Sequence, residues 1–505
     1  MTDKEFYRIF PFDKARPYQR EVIEEVIRLY DSGVNHIILQ APTGIGKSVI
    51  GLSVAKYLGS GRILTSQKIL QDQYVHDYDI PALKGIDNYK CAEYPNVTCK
   101  YCTQKKNHEL KHHYCPYLMA IKNSEESPIS VYNYSIYLSL INGELAYRQL
   151  LIMDECHNVE NQLVNHNVLE ITDKYFDELE LSFPSDNCTF NKIIDWINDI
   201  YPVLNGAITT CMRKFDSAYI KFDELVKLQD EYDYLMGLVR RIPLISSLAR
   251  KDQICIYRNE KSIEFKPLYG DQLSSGLLNS CLRTLSMSST VFSKELYCSS
   301  IGLDPDEVAY ISLESTFPVM NRLIHYKPVG VMSYSNKSIT YPKLANAVRG
   351  ILSEHSTEKG LIHTANYEIT YYLIKELNDS RLVLPRGNTR ESELDRFYKS
   401  KLPLVLISPS LTEGIDLKDD LSRFTIICKL PYGNLSDEWV IKRKLKSPDW
   451  YVTSVLEKLV QMSGRSIRSE TDFASTYILD SMFGSVLKST SKYVPKWWKD
   501  SIKWY

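Results

Sequence analysis

The sequence of 505 residues lacks any apolar stretch approaching the ~20 residues that a membrane-spanning helix needs. Its first residues, MTDKEFYRIF, contain no apolar core of signal-peptide length. It also lacks internal repeats and low-complexity tracts. These absences argue against a membrane protein, a secreted precursor and a repeat protein.

An excess of charge of one sign is missing as well. Lys and Arg number 61 and Asp and Glu number 62, so the formal net charge is -1. Any basic surface for nucleic acid must therefore be local. Apolar residues make up 44% and charged residues 24%, which excludes a mostly disordered chain, and the length predicts several cores.

Cysteines are not spread evenly along the chain. Four of the eleven lie between Cys91 and Cys115. A secreted protein held by disulfides has a more even distribution, so we expect an intracellular protein in a reducing compartment, cytoplasm or nucleus.

Short apolar runs alternate with helical patterns through much of the chain. Tyr18, Val22, Val26 and Tyr30 recur every four residues and predict an amphipathic helix. The predicted strands are HIILQA, RILTS, LLIMDE, GLIHTAN, LVLISPS and FTIICKL. This alternation is typical of an α/β fold with parallel sheets covered by helices.

Two segments interrupt the first α/β region. From 161 to about 250 the pattern is helical, and residues 173–233 contain 13 acidic against 6 basic residues. The run ICIYRNEKSIEFKPL then alternates around a polar turn and predicts a β-hairpin. The other interruption is the cysteine-rich segment. We therefore expect two α/β lobes, the first interrupted twice.

APTGIGKS, residues 41–48, stands between a predicted strand and a predicted helix. In a phosphate-binding loop, small residues let backbone N–H groups face the β-phosphate at a helix N-terminus. Lys47 would reach the β- and γ-phosphates, and the Ser48 hydroxyl would bind Mg²⁺. The predicted nucleotide-binding residues of this loop are Thr43, Gly44, Gly46, Lys47 and Ser48. Ala41 replaces the first of the usual two spaced glycines, and the alternative is a glycine-rich turn without function.

An acidic pair ends the predicted strand LLIMDE. Asp154 would hold Mg²⁺ through a water, and Glu155 would polarise the attacking water. Adjacent residues of an extended chain face opposite sides, which would separate the two carboxylates. His157 would have a coupling role, although a capping or surface histidine is the alternative.

Four cysteines with a C-x2-C pair are typical of an inorganic centre. They are Cys91, Cys99, Cys102 and Cys115. The spacing fits a [4Fe–4S] cluster and a four-cysteine zinc site equally well. His108 and His112 lie too close to Cys102 for the usual Cys2His2 finger. The same segment is locally basic, which suits a phosphate backbone or simply a solvated face.

At this point the motifs resemble those of the XPD/DinG branch of superfamily-2 iron–sulfur DNA helicases. The similar segments are APTGIGKS, DECHN, FPFDKARPYQ, NYKC, CPY, VYNY, LSMSST, STFP, TEGIDL and QMSGRSIRSETD. Cys156 replaces the alanine of the usual DEAHN, and Ser289 replaces the usual Gly or Ala of the third motif. The similarity runs from about residue 11 to 480 and omits mainly the acidic helical insertion.

The resemblance implies two RecA-like parallel-sheet lobes, the first carrying an iron–sulfur module and a helical arch. The expected domains are lobe 1 in three parts (1–90, 116–160 and 273–320), the iron–sulfur module (91–115), the arch (161–272) and lobe 2 (321–505). It also favours the [4Fe–4S] cluster over zinc. Because the motor motifs begin near residue 11, no nuclease domain is expected ahead of them.

The resemblance further implies roles for the later motifs. Arg465 and Arg468, three apart on one helical face, would reach the γ-phosphate from lobe 2, as arginine fingers do, and Gln461 would join them. Gly414 and Asp416 would contact nucleotide. Arg16 and Gln19 of RPYQ would recognise its base.

Strand contacts in such helicases go chiefly to phosphates. The expected nucleic-acid residues are Thr65, Gln67, Thr364, Asn366 and Thr412, although the threonines could equally be helix caps. The C-terminal segment KSTSKYVPKWWKDSIKWY could stack bases on its tryptophans, or could dock them on lobe 2.

The expected protein is a monomeric helicase that uses ATP, Mg²⁺ and a [4Fe–4S] cluster. By resemblance it would move 5′ to 3′ on single-stranded DNA and unwind forked duplex DNA, with no membrane partner. The alternatives are an architectural subunit with a dispensable ATPase, and a translocase acting on RNA or on bound protein.

Overall fold

The structure is a computed structural model of the 505-residue chain. It describes residues 1–66, 68–92, 96–101, 115–141, 145–215, 221–250, 252–409, 417, 419–464, 466–467 and 469–505.

The strands of the described residues, in chain order, are β1 (His36–Gln40), β2 (Gly61–Thr65), β3 (Ala82–Leu83), β4 (Ile129–Asn133), β5 (Arg148–Asp154), β6 (Leu169–Thr172), β7 (Ile254–Arg258), β8 (Ser262–Pro267), β9 (Cys281–Ser288), β10 (Val308–Ser312), β11 (Ile324–Gly330), β12 (Gly360–His363), β13 (Leu382–Val383), β14 (Val405–Ser408), β15 (Phe424–Ile427), β16 (Ser475–Asp480) and β17 (Ile502–Trp504).

The α-helices of the same residues are α1 (Asp3–Ile9), α2 (Gln19–Asp31), α3 (Lys47–Leu58), α4 (Lys68–Tyr78), α5 (Pro116–Glu126), α6 (Tyr134–Leu140), α7 (Val159–His166), α8 (Phe190–Phe215), α9 (Phe222–Ala249), α10 (Ser275–Leu278), α11 (Lys294–Ile301), α12 (Lys337–Glu354), α13 (Tyr367–Leu377), α14 (Arg390–Lys399), α15 (Glu438–Lys446), α16 (Pro448–Ser463), α17 (Phe483–Ser489) and α18 (Lys496–Lys499). None of these helices is long and apolar enough to cross a membrane.

Two seven-stranded sheets organise the fold. Their strand orders are β10-β1-β9-β5-β2-β4-β3 and β13-β14-β12-β15-β16-β11-β17. The pairs β1–β10, β2–β5 and β2–β4 are parallel in the first sheet, as are β12–β14 and β15–β16 in the second. The predicted fold class, two parallel-sheet α/β lobes, is confirmed.

The six predicted strands are present because they are apolar runs that sheets bury on both faces. All five residues of β2 are buried, and in β5 the residues from Leu150 to Met153 have no exposed surface. Strands β12, β14 and β15 are likewise buried along their whole length.

The predicted hairpin is present as β7 and β8, which pair antiparallel with Tyr257 opposite Glu264. Strand β6 joins β8 on its other edge, giving a three-stranded sheet. The long helices α8 and α9 pack together, and α8 buries one face at Ile193, Ile197 and Leu204. The helical pattern predicted from 161 to about 250 is thus present as α7, α8 and α9, whereas strand β6 was not predicted there.

The chain divides into two compact units. The first comprises residues 1–54, 285–297 and 308–505, and it contains the whole second sheet. The second comprises residues 55–284 and 298–307, with the helix pair α8–α9 and the three-stranded sheet.

The C-terminal tryptophans of the first unit differ in their surroundings. Trp498 is 2% exposed and its indole N–H donates to Ser463 Oγ over 2.8 Å, whereas Trp504 is 62% exposed. Docking on the second sheet is thus the observed arrangement for Trp498.

The second unit contains a buried arginine, Arg62, which belongs to strand β2. Arg62 has no exposed surface, and its Nη2 lies 3.0 Å from both carboxylate oxygens of Glu125. Tyr132 O–H and the Ala146 N–H also donate to Glu125. Burial raises the pKa of Glu125, but Ala146 N–H, Arg62 and Tyr132 outweigh it, so the pKa lies below its ordinary value.

Replacing Glu125 with Gln should destabilise the protein, because it leaves the Arg62 charge buried without a carboxylate. We expect a loss of about 3 kcal/mol in the free energy of unfolding, measured with denaturant at pH 7. Since the folded pKa is lowered, the contribution is present above the ordinary glutamate value of 4.5 and is lost as pH falls through the folded pKa. The variant should therefore lose less stability than wild type on acidification. Glu126→Gln, at the exposed neighbouring position, is the control, and equal losses for both variants would contradict this role.

Candidate functional site

The phosphate loop lies between β1 and α3, in the first unit. Gly44 has φ +91° and Gly46 has φ +87°, a region that glycine adopts at no steric cost. Helix α3 begins at Lys47, so its first backbone N–H groups face the end of the loop. Lys47 Nζ lies 3.4 Å from the Ala41 carbonyl oxygen. This is the geometry of a phosphate-binding turn.

Two side chains bind the carbonyl oxygens of this loop. Gln19, 2% exposed, donates from Nε2 to the Ile45 carbonyl over 2.9 Å, and Arg16 donates from Nη1 to the Gly44 carbonyl over 3.0 Å. The Arg16 N–H in turn donates to Gln19 Oε1 over 2.8 Å. Because C=O and N–H of a trans peptide point in opposite directions, these bonds aim the next N–H groups away from α2. The base-recognition role of both residues stays a prediction.

Segments of the predicted third and sixth motifs lie beside this loop within the same unit. Gln461 Nε2 is 3.5 Å from Thr290 Oγ1, which is buried. A Cβ atom added at Gly464 would lie 4.0 Å from Thr43 Oγ1. The sequence predictions for Arg465, Arg468, Gly414 and Asp416 fall outside the described residues.

The acidic pair belongs to the second unit, at the end of β5. Asp154 is 3% exposed; the Tyr74 hydroxyl lies 3.4 Å from its Oδ2, and Glu155 N–H donates to its Oδ1 over 3.1 Å. Tyr134 O–H donates to the Asp154 carbonyl over 3.2 Å. Burial, and then the nearby Cys156 and carboxylates, raise the pKa of Tyr134 well above its ordinary value. The tyrosine hydroxyl therefore stays protonated as a donor.

The sequence predicted that an extended chain would separate the two carboxylates, but the backbone turns between them instead. Strand β5 ends at Asp154, and Glu155 adopts the left-handed conformation, with φ 50° and ψ 50°. His157 Nδ1 lies 3.3 Å from Glu155 Oε2, and its side chain is 4% exposed. The His157 side chain is therefore buried against Glu155, and its coupling role stays a prediction.

Three of the four predicted cysteine ligands are described, and all are free thiols in the second unit. Cys91 N–H donates to Val97 O and Cys99 N–H to Tyr89 O, so the two cysteines flank one short antiparallel pairing. Cys115 directly precedes α5. Burial, together with Cys115 and Cys91, raises the pKa of Cys99 to about 11.

Thiolates are the ligands that iron–sulfur and zinc centres share, so the chemistry of these residues fits such a centre. Cys102 lies outside the described residues, among which no group of three or more His, Cys, Asp or Glu has metal-binding geometry.

Three of the five predicted nucleic-acid residues are described, and two of these three are buried. Thr65 and Thr364 have no exposed surface, and Thr364 Oγ1 lies 2.6 Å from Thr370 Oγ1. Asn366 caps α13, accepting from Ile369 N–H over 2.8 Å. Gln67 and Thr412 fall outside the described residues. Contacts of these five residues with nucleic acid stay predictions.

Aromatic residues on α13 escaped the sequence analysis. Tyr367 and Tyr371 are nearly half exposed, and their ring centroids are 5.9 Å apart at 23°. The guanidinium of Arg386 lies 5.7 Å from the Tyr371 ring. The sequence signal for this pair was its i, i+4 spacing on a helix that follows the predicted nucleic-acid residues Thr364 and Asn366.

Comparison with known families gives two matches along the chain. Residues 13–183 match the family described as "Type III restriction enzyme, res subunit", and residues 351–501 match the "Helicase C-terminal domain".

Curated relatives are helicases. A probable ATP-dependent helicase of Methanocaldococcus jannaschii is 22% identical over 94% of this chain and 92% of its own length. The ATP-dependent DNA helicase CHL1 of Saccharomyces cerevisiae is 29% identical over 21% of this chain, which is 14% of that protein. A regulator of telomere elongation helicase 1 homolog of Caenorhabditis elegans is 28% identical over 20% of this chain and 11% of that protein.

Solved structures share the fold. An XPD helicase structure superposes with a TM-score of 0.66 at 16% identity, covering 98% of this chain and 100% of that one. The S. tokodaii Xpd4 structure gives 0.62 at 15% identity, with 97% and 100% covered. The two family matches and the helicase relatives support an ATP-dependent helicase of superfamily 2. Within that class the resemblance to the XPD-like helicases is confirmed.

Replacing Gln19 with Glu should weaken nucleotide binding. The change keeps an acceptor for the Arg16 N–H but sets a carboxylate oxygen against the Ile45 carbonyl, which releases the loop. We expect about a tenfold higher dissociation constant for a fluorescent ADP analogue, the effect of one lost hydrogen bond. Glu21→Gln, on the exposed face of α2, is the control. Unchanged affinity in Gln19→Glu would contradict the role given to this side chain.

Proposed function

We propose that this protein is an ATP-dependent DNA helicase that translocates 5′ to 3′ on single-stranded DNA and unwinds forked duplexes. The observation that supports it best is the phosphate loop, held by Gln19 and Arg16 with the Gly464 turn beside Thr43. A nucleotide bound there would contact both the loop and the segment that precedes Arg465, so its hydrolysis can be linked to movement of one lobe.

The residues would divide the chemistry as follows. Lys47 binds the β- and γ-phosphates, Ser48 supplies an oxygen ligand for Mg²⁺, and Asp154 holds the ion through a water. The ion, when bound, neutralises charge on the phosphate oxygens. Glu155, oriented by His157, accepts a proton from the attacking water. Arg465 and Arg468 stabilise the charge that develops on the γ-phosphate.

DNA as the substrate is supported by the relatives. The yeast relative is named a DNA helicase, and the match to it is confined to about a fifth of this chain. Direction is inferred from the resemblance of the motifs to the XPD branch. The domain boundaries given by the sequence, including an arch over 161–272, belong to the same proposal.

The cysteine module would hold a [4Fe–4S] cluster beside the strand-separation point. The observation that supports it is that Cys91 and Cys99 flank one short antiparallel pairing, while Cys115 directly precedes α5. The module contacts α9, because Lys100 Nζ lies 2.7 Å from Asp230 Oδ1 and the Tyr101 hydroxyl donates to the same oxygen over 3.1 Å. A centre that fixes the module would thereby fix the position of α9.

The proposed activity predicts ATP hydrolysis that single-stranded DNA stimulates and that Lys47→Ala abolishes. Loss of a phosphate-binding lysine should lower turnover by about 10³-fold, because it stabilises charge in the transition state. The measurement is phosphate release with and without DNA, paired with unwinding of a 5′-tailed duplex. Lys56→Ala, at the other end of α3, is the matched control.

The outcomes separate the alternatives. Equal near-zero rates in wild type and Lys47→Ala would favour an architectural subunit. Unwinding of a 3′-tailed duplex, or stimulation by RNA alone, would contradict the polarity or the substrate.

The cysteine module predicts a brown protein when it is purified without oxygen, with absorbance near ~400 nm from thiolate-bound iron. Cys102→Ser should lose this absorbance and unwinding while DNA-stimulated ATP hydrolysis persists. Cys188→Ser, outside the module, should behave as wild type. A colourless protein with one equivalent of zinc would contradict the cluster, and full unwinding by a folded Cys102→Ser protein would contradict the placement at the separation point.

A further inference from the structure

The ring of Phe317 lies directly against the phosphate loop. A Cβ atom added at Gly44 would lie 2.0 Å from Cζ of Phe317, 2.8 Å from Cε1 and 3.0 Å from Cε2. Real Cβ contacts are never so short, so the ring occupies the space that any larger residue at position 44 would need. Gly44 is therefore constrained twice, by its positive φ and by this ring. Since packed groups leave no void between them, a displacement of the loop at Gly44 must move the ring.

The other neighbours of the ring belong to the sixth-motif region. Phe317, Ile467 and Ala474 form a small buried apolar cluster, exposed by 7%, 3% and 6%. Ile467 stands one residue before Arg468 and two after Arg465 in the sequence. The ring thus connects the loop to the segment on which the proposed arginine fingers are carried, within one compact unit.

The backbone around Phe317 is anchored on the later part of the chain. Its N–H donates to Ser315 Oγ and its carbonyl accepts from Arg322 Nε, each over 3.2 Å. Arg322 also donates to the Trp497 carbonyl and to the Ser501 hydroxyl.

A second pair of bonds braces the same segment at Asn321. Its Nδ2 donates to the Glu470 carbonyl and its own carbonyl accepts from Ala474 N–H, each over 2.9 Å. Because these hydrogen bonds hold the backbone, a displacement of Gly44 would move the Phe317 ring and the Ile467 side chain instead.

We propose that Phe317 is a positioning residue that transmits the state of the phosphate loop at Gly44 to the segment carrying Arg465 and Arg468. This inference rests on the proposed ATPase function and adds a residue to it. In this role Phe317 does not contact phosphate. It positions the segment that carries Arg465 and Arg468 when nucleotide binds to the loop. Substitution should therefore lower turnover more than it lowers nucleotide affinity.

The test uses Phe317→Leu, which keeps an apolar side chain but removes the ring, and Phe317→Ala. DNA-stimulated kcat should fall about 5- to 30-fold, in the range of a coupling between sites, while the dissociation constant for the ADP analogue changes less than about twofold. Phe473→Ala is the matched control, because this neighbouring ring is 51% exposed. Melting temperatures of all variants identify any that fail to fold, and Phe317→Leu replaces Phe317→Ala in that case.

A double-mutant cycle with Ile467→Val distinguishes the proposed positioning role of Phe317 from a purely structural one. If the ring acts through Ile467, the effects of Phe317→Leu and Ile467→Val on kcat should be non-additive, since both interrupt one contact. Additive effects, unchanged kcat, or a parallel loss of kcat and nucleotide affinity would each overturn the inference. A wild-type protein without DNA-stimulated hydrolysis would instead overturn the proposed function, so the two failures are distinct.

Discussion

The nucleotide site depends on the backbone conformation of two glycines. Gly44 and Gly46 both have φ near +90°, and each meets a side chain where a Cβ would stand: Phe317 at Gly44, and Gln19 Nε2 at 2.3 Å from a Cβ added at Gly46. Conformation and packing therefore select the same residue at both positions. The loop is contacted by Gln19 of α2 on one side and by Phe317, which follows β10, on the other. The proposed phosphate binding depends on these two contacts.

Parallel strands bring the chemistry to their carboxyl ends while their apolar residues form the cores. The phosphate loop follows β1, Asp154 ends β5, and Thr364 follows β12. In an α/β sheet this edge is where ligands bind, because the strands end there and loops of free length begin. The burial of Leu150 to Met153 is consequently both a stabilising feature and the reason why Asp154 has a fixed position. The strand that contributes to the core therefore also carries the proposed Mg²⁺ ligand.

Sequence reasoning was reliable where a property is local. Apolar runs identified β1, β2, β5, β12, β14 and β15, and the polar RNEK turn identified the β7–β8 hairpin. It was less reliable where tertiary contacts decide. The same Thr and Asn types bind phosphates or cap helices, and Asn366 caps α13 while Thr364 faces inward. The charged Arg62 lies inside a core, and the left-handed turn at Glu155 follows from its surroundings. The STFP segment was found by resemblance, but no pattern indicated the contacts of Phe317, since its partners are hundreds of positions away or in another motif.

Contacts on the loop use atoms that phosphate does not need. Arg16 and Gln19 take the carbonyl oxygens of Gly44 and Ile45, and Phe317 packs on the Cα of Gly44. The backbone N–H groups of the loop, which are the donors for a phosphate, are not consumed by any of these three interactions. A hydrogen bond from the sixth-motif segment to those N–H groups would compete with nucleotide and would break on binding. An apolar ring persists in both states, so it can report loop movement without reducing phosphate affinity.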